Sequence, residues 1–437
     1  MLQYYFLLGI RSLRRNPALT ALMVLTLAVG VAASVSTLTI LHMMSGDPIP
    51  QKSNRLFMPI LDNGPLKGYT PGERPNDHQM SYRDVSNLLA GTGGERRTAL
   101  YGVEMAIEPA RKDLPAIAEE GVATTRDFFS MFDTPFLYGQ GWTEKDDSKG
   151  TDVVVLGREL SEKLYGKSNP VGQYLSMIGH QFHIIGVLDT WQPRPRFYRN
   201  VGRSASFGIQ DDFFIPLASA IRHEITHAGG MSCSGDMEPG WQGRLNSECT
   251  WLHFWYELKS EGQRQELQTY LDNYTADQRK LGRYVRQEKN RLFNVMEWLE
   301  ESKVVGNDNK LSVWLAFGFL LLCLVNTVGL LLAKFSVRAA EVGVRRALGA
   351  SRKEIFNQFL IESSVIGLAG GVTGLLLAFI ALTLISLQST QLTALTHMDW
   401  QMLLVTFVLS VAAAILAGLF PTWRACQVTP AIQLKSQ

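Results

Sequence analysis

Four long apolar segments constrain this chain more than any other feature of its sequence. Each contains about 20 or more predominantly apolar residues, enough to cross a hydrocarbon core roughly 30 Å thick. They cover residues 18–44, 311–333, 359–387 and 400–420. Because the first apolar run is too long for a signal peptide and no small-residue cleavage site follows it, we predict four transmembrane helices, the first of them a retained anchor.

The distribution of Lys and Arg predicts the orientation of these spans. Basic residues precede the first span, fill the connection between the second and third, and follow the fourth, whereas the short link 388–399 has none. Since short cytoplasmic loops carry the excess of Lys and Arg, we place both termini in the cytoplasm and the large segment in the periplasm of a bacterial inner membrane. The formal net charge of +2 provides no global basic field, so no nucleic-acid partner is expected.

The polar segment 45–310 predicts one large α+β domain. Runs rich in β-branched and aromatic residues indicate strands, and RELSEKLYG and the polar stretch from Glu261 to Lys303 indicate helices. The strand-like runs begin at Asp152, Gln181, Asp211 and Leu252. Gly166–Ser168 spells GKS, but Ser161 occupies the position where a phosphate-binding loop needs its first glycine. We therefore expect no nucleotide or other cofactor on this chain and no catalytic residues.

Two features of the polar segment leave alternatives open. Cys233 and Cys249 form a disulfide if the segment is periplasmic, or remain two free thiols. His223, Glu224 and His227 spell the H-E-x-x-H of zinc peptidases, but the next ligand position is occupied by Cys233. The two histidines are therefore only weak candidates for a metal site, and a surface helix leading into a disulfide-closed loop is the preferred interpretation.

The connection between the second and third spans, residues 334–358, predicts a short amphipathic helix followed by a tight corner. Gly349 suits the helix end, and Ser351 with Glu354 forms a capping-box pattern for the next helix. Such a helix is either an interfacial connector or a docking element for a cytoplasmic partner. An apolar stripe comprises Val337, Ala340, Val344 and Leu348, and the charged positions are Arg338, Glu341, Arg345 and Arg346.

The third span contains small residues that allow another helix to approach closely. These are Gly367, Gly370, Gly371 and Gly374, which include two overlapping G-x-x-x-G spacings. Glu362 and Asn326 are polar residues at or inside spans, where isolated polarity is costly, so each is expected to have a partner or to face a bundle interior.

Several stretches resemble the MacB/FtsX-type permease subunits of ABC transporters. EVGVRRALGASRKEIFNQFLIES is similar to the cytoplasmic loop of that family, and GLFPTWRACQVTPAIQLK is similar to its carboxy-terminal signature. RSLRRNPALTALMVLTLAVGVAA, TTRDFFSMFDTPFLYGQGW, VVVLGRELSEKLYG and NPVGQYLSMIGHQFHIIGVL also resemble family patterns. The order of these elements agrees with the family as well.

The resemblance implies a four-helix permease that acts by mechanotransmission as a homodimer or a heterodimer with a paralogue. Its loop at about 336–351 would dock onto a separate ABC ATPase dimer that holds ATP and Mg. A periplasmic adaptor and an outer-membrane channel are further implied partners. The external domain would be a porter-like subdomain with a β-rich insertion at about 121–206. Some family members carry the ATPase on the same chain, ahead of their first span. Because this sequence starts within about 15 residues of its first span, we expect the ATPase on another polypeptide.

The predicted organisation combines these readings in chain order. It comprises an interfacial cytoplasmic helix 1–17, the first span 18–44, the periplasmic domain 45–310, the second span 311–333, the coupling loop 334–358, the third span 359–387, a short periplasmic loop 388–399, the fourth span 400–420 and a cytoplasmic tail 421–437. The predicted function is export of a hydrophobic, peptide or lipid-like substrate. The alternatives are a scaffold that regulates a periplasmic cell-wall hydrolase and a zinc metallopeptidase.

Overall fold

The computed structural model describes residues 16–67, 69–72, 78–109, 115–199, 211–304 and 307–388, together with eight single positions between 404 and 423. The predicted interfacial helix, most of the fourth span, the link 389–399 and the tail therefore lie outside the described residues. The chain divides into two compact units, which we treat separately. One unit combines Met1–Ser45 with Val305–Gln437, and the other is Gly46–Val304.

The described elements follow one another as an α-helix, a mixed set of strands and helices, and then three further helices. The strands are β1 Leu56–Ile60, β2 Met80–Ser81, β3 Arg96–Glu108, β4 Ile117–Thr124, β5 Phe136–Gly139, β6 Val153–Leu156, β7 Tyr174–Met177, β8 His180–Leu188, β9 Phe213–Pro216, β10 Thr250–Glu257 and β11 Arg291–Asn294. The helices are α1 Pro17–Ser45, α2 Tyr82–Ala90, α3 Asp127–Met131, α4 Glu144–Lys149, α5 Arg158–Tyr165, α6 Leu217–Arg222, α7 Gly240–Asn246, α8 Arg264–Lys280, α9 Val295–Glu301, α10 Asn307–Val337, α11 Ala339–Ala347 and α12 Arg352–Gln388.

All the named strands belong to one mixed sheet in the unit Gly46–Val304. Its order is β11-β1-β10-β3-β4-β9-β6-β8-β5, with β2 beside β10 and β7 beside β3 and β8. The pairs β4–β9 and β6–β8 are parallel, and the other pairs are antiparallel. This unit is therefore an α/β domain in which the strand-like runs of the sequence form β6, β8, β9 and β10.

Strand β10 is an interior strand of the sheet, paired with β1, β2 and β3. Every residue of its sequence TWLHFWYE is buried, as expected for a strand covered on both faces. Its last residue, Glu257, is a fully buried carboxylate that ends the strand. The carboxylate forms ion pairs with Lys52, Arg55 and Arg96, whose nitrogens lie 3.5, 3.3 and 2.9 Å from its oxygens. These three cations compensate the buried negative charge.

A second buried charge cluster joins the end of the 191–199 segment to Asp211. Arg199 and Asp211 are an ion pair with side chains only 1% exposed, and Arg196 Nη1 lies 3.3 Å from the same carboxylate oxygen. Tyr198 donates a hydrogen bond to the other oxygen. The carboxylate therefore holds three side chains of this segment inside the domain.

One expectation for this domain needs correction. The stretch from Glu261 to Lys303 is not one helical region, because α8 ends at Lys280 and an irregular segment then leads into strand β11 and the short helix α9. Long-range strand pairing, which local sequence pattern does not report, decides this point. The insertion expected at about 121–206 stays a prediction; strands β5–β8, which fall within it, belong to the same sheet.

In the other unit, three described helices are long and apolar enough to cross a membrane. These spans are Pro17–Ser45, Leu311–Val337 and Arg352–Leu387. Of the predicted fourth span, the six positions described are helical, and Gly418 lies against Ser363 of α12. Helix α1 packs against both α10 and α12: an ideal Cβ on Gly30 would be 3.0 Å from Cys323, and one on Gly370 would be 2.8 Å from Leu27.

Candidate functional site in the helical hairpin between the second and third spans

The connection between α10 and α12 is a compact helical hairpin. Helix α10 ends at Val337, Arg338 makes the turn, and α11 then runs from Ala339 to Ala347. Gly349 has a φ of +97° with open space around it, a conformation that favours glycine and turns the chain. Ser351 and Glu354 form a capping box, in which the Ser351 amide donates to Glu354 at 2.9 Å and the Glu354 amide donates to Ser351 Oγ at 3.2 Å.

One face of α11 is held against the start of α12. Val342 is buried with Ile355 and Phe359 in an apolar cluster. Arg345 donates to Gln358 Oε1 at 3.0 Å and pairs with Glu341 at 2.7 Å. These contacts give the short helix a defined position, which a helix of this length does not have by itself.

The opposite side of the hairpin is exposed and apolar. Three large residues of the predicted apolar stripe are largely uncovered: Val337 is 80% exposed, Val344 54% and Leu348 84%. The charged residues Arg338 and Arg345 instead point back toward α12, where they find partners. The stripe is therefore free for a further contact within the described part of this unit.

A buried charge cluster connects the hairpin to both neighbouring spans. Lys334 Nζ of α10 lies 2.7 Å from Glu362 Oε1 of α12, and these side chains are 0% and 2% exposed. Arg338, at the turn into α11, pairs with the other oxygen of Glu362 at 3.1 Å. One carboxylate thus joins α10, the turn before α11 and α12. The sequence indicated that Glu362 needs a partner but did not identify Lys334, because a basic residue at a span end ordinarily extends to the interface.

Two of the four glycines of the third span, Gly370 and Gly374, lie against α1. All four are buried. An ideal Cβ on Gly374 would lie 2.7 Å from Val31 Cβ and 2.9 Å from the Ala28 carbonyl oxygen of α1. Helix α1 therefore lies so close to α12 at this position that no side chain larger than that of glycine fits between them.

Replacing Gly374 by Leu is expected to weaken this helix pair, because a side chain cannot fit between Gly374 and Val31. We expect a loss of about 1–3 kcal/mol in the free energy of unfolding, measured in lipid nanodiscs. Val372→Leu, at a position of α12 that is 46% exposed, is the matched control and should leave stability unchanged. Equal stability of the two variants would contradict close packing of α1 on Gly374.

The H-E-x-x-H stretch does not form the helix that a zinc site needs. Helix α6 ends at Arg222, and Glu224 has a φ of +55°, so the backbone leaves the helix inside the motif. His223 Nε2 lies 2.8 Å from Asp152, whereas His227 packs against Trp251 and pairs by a bridge with Val103 of β3. Among the described residues, no group of three His, Cys, Asp or Glu side chains could hold a metal ion. The predicted surface helix is therefore shorter than expected, because it ends before the motif, and His223 and His227 do not share a helix face as they do in zinc peptidases.

The loop that follows is closed by a disulfide between Cys233 and Cys249. Ser232, beside Cys233, also forms a bridge with Thr250 at the start of β10. The other cysteine of the bond, Cys249, is buried next to that strand. The loop is thus held at two adjacent points at the start of strand β10, by the disulfide to Cys249 and by the bridge to Thr250.

The chain is a multi-pass membrane protein with a large α/β domain between its first and second spans and a helical hairpin between its second and third spans. The chain belongs to the MacB-like, FtsX-type family of ABC transporter permeases. Residues 20–306 match the family described as MacB-like periplasmic core domain, and residues 313–430 match the FtsX-like permease C-terminal family.

Relatives with known names are exporters. The chain is 23% identical over 346 residues to the macrolide export ATP-binding/permease protein MacB of Syntrophobacter fumaroxidans, covering 71% of this chain and 46% of that protein. It is 23% identical over 429 residues to the pyoverdine export ATP-binding/permease protein PvdT of Pseudomonas aeruginosa, covering 96% of this chain and 56% of that protein. The chain spans about half the length of these curated relatives.

Among solved structures, the periplasmic region of MacB from Actinobacillus actinomycetemcomitans is similar with a TM-score of 0.36 and 12% sequence identity. The match covers 58% of this chain and 94% of that one.

Proposed function

We propose that this chain is the permease subunit of an ABC exporter and that its hairpin receives the motion of an ATPase. The ATPase, a dimer on a partner chain, binds ATP and Mg in the cytoplasm. Its cycle drives a conformational change in the periplasmic domain, which extrudes a hydrophobic, peptide or lipid-like substrate. The observation that carries this proposal is the exposed apolar stripe on a hairpin that is itself held by buried contacts.

The exposed apolar stripe of the hairpin would contact the ATPase, and the buried contacts of the hairpin would connect it to the spans. A hairpin with three uncovered apolar side chains in a charged setting fits a protein-docking surface, since an exposed apolar patch with a polar rim marks an interaction site. The Val342 cluster and the Glu362 ion pairs then connect α11 to α12 and α10. A displacement of α11 by the ATPase is therefore passed to two spans through contacts that resist deformation.

The remaining assembly follows the family to which the chain belongs. We propose that two permeases act together, with a periplasmic adaptor and an outer-membrane channel completing the path out of the cell. The named relatives are ATP-binding/permease proteins for macrolide and pyoverdine export, which supports an ATP-driven export role. Both termini and the hairpin are placed in the cytoplasm, as the Lys and Arg distribution predicts.

Leu348→Glu tests the docking surface, because it places a charge at the most exposed apolar position of the stripe. We expect the yield of co-purified ATPase activity to fall at least about tenfold, the loss typical of an apolar hot spot. Leu348→Met keeps the apolar side chain and should retain the ATPase. Since position 348 is exposed, the unfolding temperature of the permease should not change. Retention of the ATPase by Leu348→Glu at the level of the unmodified chain would overturn the docking assignment.

A further inference from the structure

The α/β domain contains a cleft of about 460 Å³ beside the start of helix α8. It is lined by the loop 92–95 before β3, by the segment that follows β10 and by the first part of α8. Pockets that bind small ligands measure roughly 300–1,000 Å³. The cleft is therefore large enough for a small molecule or a few residues of a peptide.

The buried part of this cleft is apolar. Leu258 and Leu267 are 1% and 3% exposed, and Tyr270 packs half-buried against the same core. Gly93 lies over this surface, since an ideal Cβ there would be 3.1 Å from Leu267 Cδ1 and from the Tyr270 ring. Because these residues belong to the core of the domain, they offer a fixed contact surface for an apolar side chain of a ligand.

Two charged side chains of opposite sign line the cleft without an ion pair. Lys259 and Glu266 are both exposed, and neither is paired in the ranges that the structure describes. A third charged residue of the cleft, Glu95, has Arg55 Nη2 at 3.6 Å. Gln263 Oε1 accepts a hydrogen bond from the Lys259 amide at 3.0 Å, which fixes the backbone that carries the cation. The cleft thus presents one unpaired cation and one unpaired anion.

The loop on one side of the cleft adds backbone donors. The Glu95 amide donates to the Glu257 carbonyl at 2.8 Å, but the amides of Thr92, Gly93 and Gly94 have no acceptor in the part of the protein that the structure covers. Gly94 has a φ of +73°, a conformation that favours glycine. Successive free amides in a turn bind anions, so these donors and the ammonium group of the cleft suit a carboxylate.

We propose that this cleft binds short peptides with free termini and that such peptides are the substrate class of the permease. The terminal carboxylate binds Lys259 and the free amides, the terminal ammonium binds Glu266, and an apolar side chain contacts Leu267. A ligand with only negative charge would be repelled by Glu266, and a ligand with only positive charge by Lys259. Electrostatic complementarity therefore favours a molecule that carries both charges.

Helix α8 also connects the cleft to the end of the domain. Arg264 Nη2, in its first turn, lies 2.7 Å from Glu297 Oε2 of α9 and donates to the Leu292 carbonyl at 2.7 Å. In chain order α9 is the last helix before α10, which contains the second span. A peptide bound against α8 therefore acts on an element that is fastened to the segment leading into a span.

This inference rests on the proposed export function and names its substrate class. Isothermal titration calorimetry of the full chain in lipid nanodiscs tests it, with the tripeptide alanyl-leucyl-alanine as the probe. We expect binding with a Kd of about 1 mM or lower. Amidation of the carboxyl end or acetylation of the amino end should each weaken binding about tenfold, because each removes one charge-assisted contact.

Variants of the two charged residues assign the ends of the peptide. Lys259→Met should weaken binding of the free peptide about tenfold and leave binding of the amidated peptide unchanged. Glu266→Gln should weaken binding of the free peptide similarly and leave binding of the acetylated peptide unchanged. Lys280→Met is the matched control, since Lys280 is 78% exposed at the other end of α8, and it should bind the peptide like the unmodified chain.

Absence of binding to the unmodified chain overturns the site, as does equal weakening by Lys280→Met and Lys259→Met. ATP hydrolysis by the complex with the co-purified ATPase should rise with the free peptide and not in Lys259→Met; binding without this rise overturns the substrate role. A complex that keeps its ATPase but does not bind the peptide rejects this inference alone. A chain that binds the peptide but retains no ATPase rejects the proposed function instead.

Discussion

Replacing Glu362 by Gln is expected to destabilise the membrane unit by about 3–5 kcal/mol, the cost of leaving a buried charge without its partner. Lys334 is fully buried and 2.7 Å from the carboxylate, so the neutral amide would leave its ammonium group uncompensated. Arg338, at 3.1 Å, would also lose its ionic partner. The measurement is the free energy of unfolding in lipid nanodiscs, together with the export activity of the assembled transporter.

Two further variants test whether the loss of stability in Glu362→Gln comes from the buried charge cluster. Glu341→Gln removes the exposed pair with Arg345, whose side chains are 37% and 43% exposed, and should cost no more than about 0.5 kcal/mol. Lys334→Met combined with Glu362→Gln removes the unpaired ammonium and should recover most of the lost stability. If Glu362→Gln proves no more harmful than Glu341→Gln, the cluster does not hold the hairpin to the spans.

Substituting the neighbouring residues Asp211 and Asp212 with Asn is expected to change the stability of the α/β domain in opposite directions. Although burial opposes ionisation, the guanidinium groups of Arg199 and Arg196 hold the pKa of Asp211 below its ordinary value of 3.8. Burial and the adjacent Glu119 carboxylate instead raise the pKa of Asp212 to about 7. At pH 8, Asp211→Asn should cost about 3–5 kcal/mol because it leaves the buried Arg199 with only the partly exposed Glu120, at 3.5 Å, as an ionic partner. Asp212→Asn should instead stabilise the domain.

The contributions of the two carboxyl groups to folding stability also change with pH in opposite directions. The carboxylate of Asp211 stabilises the folded domain at all pH values above about 4, and this contribution is lost only as the pH falls further. Ionisation of Asp212 is opposed by the fold, so its presence lowers stability progressively as the pH rises from about 4 to about 7. The gain from Asp212→Asn should therefore be larger at pH 8 than at pH 5.

Thermal unfolding of the full chain, followed for each variant against the unmodified protein at both pH values, measures these differences. The comparison at equal pH cancels the effect of buried histidines such as His253, whose pKa is lowered to about 3. A gain from Asp212→Asn that is the same at pH 5 and pH 8 would show that its carboxyl does not titrate in this range. A neutral Asp211→Asn would show that the Arg199 pair contributes nothing to stability.

The permease family, three of the four predicted spans and the hairpin could be predicted from the sequence, because each rests on local composition or on a contiguous motif. The apolar segments that became α1, α10 and α12 are such features, as is the GASRKE corner with its Gly349 turn and Ser351 cap. The H-E-x-x-H stretch shows the limit of that approach. Its spacing suited a helix, but β3 and β10 hold His227 apart from His223, and the positive φ of Glu224 breaks the helix between them.

The sequence by itself determined which segments can enter a membrane, where the hairpin turns and which residues are polar in an apolar setting. Only the tertiary structure decided how those polar residues are compensated. Lys334 meets Glu362 because the end of α10 packs on the first part of α12, where Phe335 contacts Phe359, whereas Asn326 lies exposed on α10. The physical reason is that hydrophobicity and turn propensity act within a few residues, while the pairing of buried charges depends on which distant helices and strands pack together.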